Sequence, residues 1–213
     1  MIGEKPGRVL VLAPHTDDGE LGCGGSIARF IEEGASIYYV AFSTASASLP
    51  EGMPPNTLER ELREAAEILA IPEDNLIIFD YEVRKLNYVR QDILEHLVEI
   101  RGEVKPDIVF MPSPSDLHQD HTTVAMEGLR AFKGTTSLAY ELPWNNITFT
   151  SQAFIQLKER HIMKKVKAIK AYRSQKSRDY TSEEAIRAQA KMRGIQIGVK
   201  FAECFEVLRW IVR

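Results

Sequence analysis

Short apolar runs alternate with longer amphipathic stretches along most of the chain. Val9-Leu10-Val11-Leu12-Ala13, stopped by Pro14, contains no polar position, the mark of a strand buried on both faces. A polar, glycine-dense loop is expected from His15 to Gly25, then a helix from Ser26 through Ile31 that ends near Gly34. Ser36–Ser43 reads as a second strand, and Thr44–Pro55, with three prolines and Gly52, as a loop. Asn56 with Glu59 three residues on predicts a capping box, opening a helix whose Leu58, Leu62, Ala65, Ala66 and Leu69 share a face. Asn75–Asp80 predicts a short strand, Val83–Glu103 a helix, Ile108–Met111 another buried strand, and Thr122–Phe132 a further helix. Beyond residue 135 the pattern is less regular. Leu138–Leu142, Ile147–Thr150 and Phe201–Val212 read as strands, and the segments around Ile162–Tyr172 and Ala185–Met192 as helices. Strands alternating with helices of about 10–15 residues imply βαβ units and a parallel, three-layer α/β sheet.

The 213 residues, 44% hydrophobic and 27% charged, are ordinary globular usage. With no repeat, low-complexity tract or linker, a single domain over residues 1–213 is the economical reading. A net charge of −3 argues against a nucleic-acid partner, which favours a basic surface. No apolar run approaches the ~18 residues of a membrane span, and Val9–Ala13 is shorter than a signal-peptide core of about 7–15 residues. A soluble, cytoplasmic protein is therefore expected. Cys23 and Cys204 are too few and too far apart for a disulfide scaffold or a Cys-based zinc module.

Two motifs carry chemistry. Pro14-His15-Thr16-Asp17-Asp18 lies at the carboxyl end of the first strand, and His118-Gln119-Asp120-His121 just beyond that of Ile108–Met111. Ligands bind at this edge in open α/β sheets. Imidazole and carboxylate with one open position is how catalytic zinc is held, and His15, Asp18 and His121 supply such a set. An N/O set also accommodates Fe2+, Co2+ or Ni2+. Adjacent acids on a loop point in different directions, which leaves Asp17 free to accept a proton from water. His118 is placed to stabilise an oxyanion or to protonate a leaving group. Metal, base and a polarising group make a hydrolytic site.

Pro14–Asp18 followed by Leu21-Gly22-Cys23-Gly24-Gly25 resembles the signature of the PIG-L/LmbE-like zinc-dependent deacetylases. Ser113-Pro114-Ser115-Asp116-Leu117-His118-Gln119-Asp120-His121 looks like that family's second motif. Glu141–Asn146 and Arg173-Ser174-Gln175 resemble segments of its bacterial members. The resemblance implies a Rossmann-like fold with a mostly parallel sheet, and hydrolysis of N-acetyl groups from amino sugars. It carries metal ligation onto His15, Asp18 and His121, the general base onto Asp17 and oxyanion support onto His118, with Asp120 orienting a histidine. The family usually has Glu where this chain has Gly19, and proline where it has Thr16; Glu20 is expected to take the missing carboxylate's place.

A dinucleotide reading of Gly22, Gly24 and Gly25 fails, because residue 27 is Ile and no acid follows in the second strand. Cys23 and Cys204 read as buried thiols, and His96 as a boundary histidine. His161 opens a basic helix (Lys164, Lys165, Lys167, Lys170) that reads as a solvated face, with attraction of a phosphorylated substrate as the alternative. Arg60 serves either substrate or a salt bridge with Glu64. Trp144 and Asn145 are candidate sugar contacts, an indole stacking on a pyranose and an amide binding hydroxyls. The expected partner is thus a small N-acetylated sugar, and association into a homo-oligomer is compatible with the sequence. Hydrolysis of another amide, such as a thiol–sugar conjugate, and a non-catalytic nucleotide- or sugar-binding module are the rival readings.

Overall fold

A computed structural model describes residues 6–212; the first five residues and Arg213 of the expected 1–213 domain lie outside the described residues. The order is β1 (Arg8–His15), α1 (Asp18–Glu32), β2 (Ser36–Ser43), α2 (Thr57–Leu69), β3 (Leu76–Ile78), α3 (Arg90–Val104) and β4 (Ile108–Pro112). Then come α4 (Gln119–Ala131), β5 (Thr136–Tyr140), β6 (Ala153–Leu157), α5 (Glu159–Ala171), α6 (Glu183–Gln196) and β7 (Phe201–Arg209). The seven strands form one sheet in the order β3-β2-β1-β4-β5-β7-β6. Strands β1 to β5 are parallel, whereas β7 runs antiparallel to both β5 and β6.

Side chains of β1 alternate between two cores. Val9, Val11 and Ala13 pack with residues of α1, α2 and α5 such as Ile27, Leu62 and Val166. Leu10 and Leu12 pack with residues of α3 and α4 such as Leu97 and Val124. Both faces of the sheet are thus covered, which is why its central strands are continuously apolar. The chain runs outward from β1 to β3 and returns to β4 on the other side of β1, so the switch point lies between the carboxyl ends of β1 and β4. Among the described residues no helix is long and apolar enough to cross a membrane.

Several local expectations are corrected. The glycine-dense segment is helix, not loop: α1 starts at Asp18 and kinks at Cys23, whose φ is −142°. Its glycines allow close approach. A Cβ on Gly22 would fall 2.3 Å from the Tyr140 ring, and one on Gly19 2.5 Å from the Tyr39 ring. Asn56 precedes α2 but its side chain makes no capping bond, and Glu59 pairs with Arg63 instead. Helix α3 starts at Arg90 rather than Val83, because Asp120 takes the backbone N–H groups of Arg84 and Leu86 (2.6 and 3.2 Å) and bends the chain there. Ile147–Thr150 is not a strand; the partner of β7 lies at Ala153–Leu157.

The kink in α1 is closed by an ion pair. Lys165, on α5, donates to the Leu21 carbonyl (2.7 Å) and to Glu203 Oε1 (2.7 Å). Glu203, on β7, accepts from Gly25 N–H (3.0 Å), Ser26 N–H (2.7 Å) and the Ser26 hydroxyl (2.6 Å). The cation thus satisfies a carbonyl at the end of the first helical segment, and the carboxylate caps amides opening the second. The expected solvated face of α5 is corrected here, since Lys165 and His161 are buried.

Candidate metal centre

His15 ends β1, Asp17 and Asp18 open α1, and His118 caps α4, so the switch point gathers both motifs. Helix α4 begins three residues earlier than the apolar pattern predicts, which puts His121 in its first turn. The His118 Nδ1 accepts from the Asp120 N–H at 3.2 Å. His15 Nδ1 is 3.1 Å from Asp18 Oδ2, His121 Nε2 is 3.2 Å from that same oxygen, and the two nitrogens are 3.2 Å apart. Tetrahedral ligands placed about 2.0–2.1 Å from a zinc ion lie about 3.3 Å from one another, so this triangle fits one ion. His15, His118 and His121 also offer nitrogens within 4.8 Å of one another.

The outer nitrogens of both imidazoles are tied to carboxylates. His15 Nε2 meets Asp120 Oδ2 at 3.0 Å, and His121 Nδ1 meets Asp116 Oδ2 at 2.9 Å. These contacts leave His15 Nδ1 and His121 Nε2 facing the centre, as metal-ligating histidines require. The Asp120 expectation is thereby located on His15. Asp116 was not singled out from the sequence, although it stands two residues before His118 within the motif.

Charge follows this geometry. Burial alone would lower the His15 and His121 imidazoles, but Asp18 and the hydrogen bonds to Asp120, Asp116 and Asp18 outweigh it and raise them to about 9 and about 10. Burial would raise Asp18, yet the two histidines hold it well below the usual carboxylate range. Asp17 is raised to about 6 by burial and then by the Asp18 charge. Its side chain makes no capping bond and lines the cavity. Burial and the charges of His15 and His121 lower His118, which keeps it neutral; because its Nδ1 accepts, its proton sits on Nε2. A metal held by His15 and His121 would have to displace the protons of both imidazoles. Zinc uptake at pH 7.5 is therefore expected to release close to two ligand protons per ion, against about 0.2 for two imidazoles of ordinary pKa. Affinity should accordingly rise with pH up to about 10, more gently above about 9 where His15 has already lost its proton and only His121 still titrates. Calorimetry in buffers of different ionisation enthalpy measures the count, and a value near 0.2 would remove these histidines from the ligand set.

The cavity above the centre holds about 200 Å³. Larger open grooves exist, but the one of about 690 Å³ beside Arg63 and Glu73 is lined by no histidine or cysteine. Trp144 and Asn145 line the cavity as expected from the sequence, while Arg60 does not: it lies in a separate groove with Thr57, Glu61 and Arg173. Glu64 pairs with Arg173 rather than with Arg60. Trp144 stacks on Tyr180 at 3.9 Å, so Tyr180 covers one face of the indole. Arg84, Gln175, Arg178 and Tyr180 complete the walls. Of these only Gln175 stood in a segment the resemblance marked; the others sit in irregular loops with no periodic signal. Glu20 does not replace a carboxylate at position 19. It is buried beneath the turn, where Tyr39 (2.5 Å) and Tyr172 (3.1 Å) contact it, and burial raises it to about 8.

Paired histidine–carboxylate clusters at the switch point of a Rossmann-like sheet define an α/β protein with a group of side chains that could hold a metal ion. The chain belongs to the PIG-L family, described as GlcNAc-PI de-N-acetylase, whose sequence model matches residues 10–132. It is 28% identical over 174 residues to an uncharacterized deacetylase, YaiS, of Escherichia coli (strain K12), covering 78% of this chain and 90% of that protein. It is 31% identical over 133 residues to diacetylchitobiose deacetylase of Thermococcus kodakarensis, covering 58% of this chain and 48% of that protein. The structure of N,N'-diacetylchitobiose deacetylase from Pyrococcus horikoshii shares the fold, with a TM-score of 0.81 at 23% identity over 95% of this chain and 84% of that one.

Proposed function

We propose that this protein is a zinc-dependent hydrolase that removes acetate from an N-acetylated amino sugar. The observation that carries the reading is the Asp18 carboxylate held between two imidazoles, with an uncapped Asp17 beside it in the cavity. Family membership and the diacetylchitobiose deacetylase relative support the substrate class. His15, Asp18 and His121 would hold the ion, and Asp116 and Asp120 would keep the two imidazoles aimed. When bound, the ion supplies Lewis acidity that polarises the amide carbonyl and makes water more acidic.

The remaining steps use the chain's own groups. Asp17 takes a proton as water adds to the acetyl carbon, which its raised pKa suits it to do near neutral pH. The neutral His118 ring donates its Nε2–H to the oxygen of the tetrahedral intermediate. On collapse the C–N bond breaks, and the proton held by Asp17 passes to the departing amine. Acetate and a free sugar amine remain.

Stripping the protein with a chelator should abolish acetate release from N-acetyl sugars, and one equivalent of zinc should restore it. Turnover by metal-free protein would refute the reading. Trp144→Ala is expected to lower kcat/KM by about 1–3 kcal/mol at unchanged metal content, the scale of one buried aromatic contact. Wild-type kinetics per metal-loaded molecule, with only Tm lowered, would instead assign Trp144 to loop packing alone.

A further inference from the structure

Resting on the deacetylase reading, we propose that Arg84 and Arg178 form an anion-recognising subsite in the cavity, so that the sugar substrate carries a carboxylate or a phosphate. Apart from the histidines, the charged side chains lining the cavity are Asp17, Asp18, Arg84 and Arg178. The two aspartates belong to the metal centre and its base, which leaves the two guanidiniums as the charges open to substrate. Eight other arginines pair with glutamates among the described residues. Neither Arg84 nor Arg178 forms such an ion pair there, although the Arg178 charge is near enough to Asp17 to act against the upward shift of that carboxyl.

Neither guanidinium is fixed by an ion pair with an acid among the described residues. Arg178 donates to the Tyr180 hydroxyl at 2.6 Å, its guanidinium lies 5.8 Å from the Tyr180 ring centroid, and that ring stacks on Trp144. Arg84 has a φ of +68°, and its backbone is anchored by its N–H to Asp120 and its carbonyl to Gln119. The two come from different segments, one between β3 and α3 and the other between α5 and α6, yet line one cavity. A guanidinium presents a planar fork of donors matched to carboxylate and phosphate oxygens, and a bidentate pair adds geometric selectivity. A neutral N-acetyl sugar would offer these forks only uncharged oxygens and leave the two positive charges without a counter-charge.

The test is calorimetry on the zinc-loaded full chain with N-acetylglucosamine, its 1-phosphate, its 6-phosphate and N-acetylmuramic acid. At least one anionic sugar is expected to bind about ten-fold tighter than the neutral one, the scale of a charge-assisted contact. The phosphate and carboxylate arms identify the source of the anion. Arg84→Met and Arg178→Met should each remove most of that advantage while melting like the parent protein. No advantage for any anionic sugar overturns the subsite, and so does an advantage that survives either substitution, since the anion would then be contacting the metal centre instead. Acetate is measured in the same samples. Sugars that bind through the arginines but release no acetate would count against the deacetylase reading and leave the subsite standing.

Discussion

Asp17→Asn is expected to retain its metal and to lose about 10²–10⁴-fold in kcat, the usual contribution of a positioned acid–base group. Asp17 lies outside the His15–Asp18–His121 triangle, so its charge is not needed to hold the ion. An amide at that position keeps the shape but cannot accept a proton from water. Asp18→Asn should do the opposite. Its Oδ2 touches both imidazoles and accepts the His15 backbone N–H at 2.8 Å, and removing the charge takes away the one carboxylate that both rings share, leaving only Asp120 and Asp116 on their outer nitrogens. Metal content per chain and kcat, measured on the same preparations, separate the two roles. A metal-loaded Asp17→Asn protein turning over at the wild-type rate would end the general-base assignment. Full occupancy in Asp18→Asn would end the ligand assignment.

Lys165→Met is expected to destabilise the protein by about 3–5 kcal/mol, because it leaves the Glu203 carboxylate buried without its cation. At this chain length that corresponds to a fall in Tm of about 6–20 °C. Glu203→Gln should cost a similar amount by stranding the ammonium. The contrast is Lys167→Met on the same helix, where the side chain is exposed and the expected change is within about 0.5 kcal/mol. Chemical denaturation of the three variants provides the measurement. Equal stability of Lys165→Met and the parent would mean that the kink in α1 closes without the ion pair. Because the pair ties α5 and β7 to the helix that carries Asp18, both destabilised variants should also bind metal more weakly.

Strands β1, β2 and β4 are readable from sequence because burial on both faces leaves them without polar interruptions. The candidate donor set is readable for a different reason: imidazoles and carboxylates clustered right after such strands fall at the ligand-binding edge of any parallel sheet. The first helix is not. From Asp18 to Ala28 every residue of α1 is buried, so no apolar face alternates with a polar one, and four glycines in eleven residues mimic a loop. Gly19 and Gly22 are explained by the Tyr39 and Tyr140 rings, which reach the helix from β2 and β5, and Gly24 and Gly25 by the Lys165, Leu157 and Glu203 side chains packed against them. Nor could periodicity place the start of α3, since the Arg84 and Leu86 amides are taken by Asp120, 36 and 34 residues away.

Residue type and order alone therefore determined the parallel α/β class, the switch-point location of the chemistry and the His15, Asp17, Asp18, His118 and His121 candidates. They carry that information because strand burial and metal affinity are local properties of the residues concerned. Only tertiary structure decided which nitrogen of each histidine faces the centre, since the contacts that turn the rings come from Asp116 and Asp120. It also decided that Lys165 is a buried counter-ion, that Arg60 stands apart, and that Arg84, Arg178 and Tyr180 wall the cavity. Each of these depends on segments far apart in the chain meeting across the sheet, and no local pattern records such a meeting.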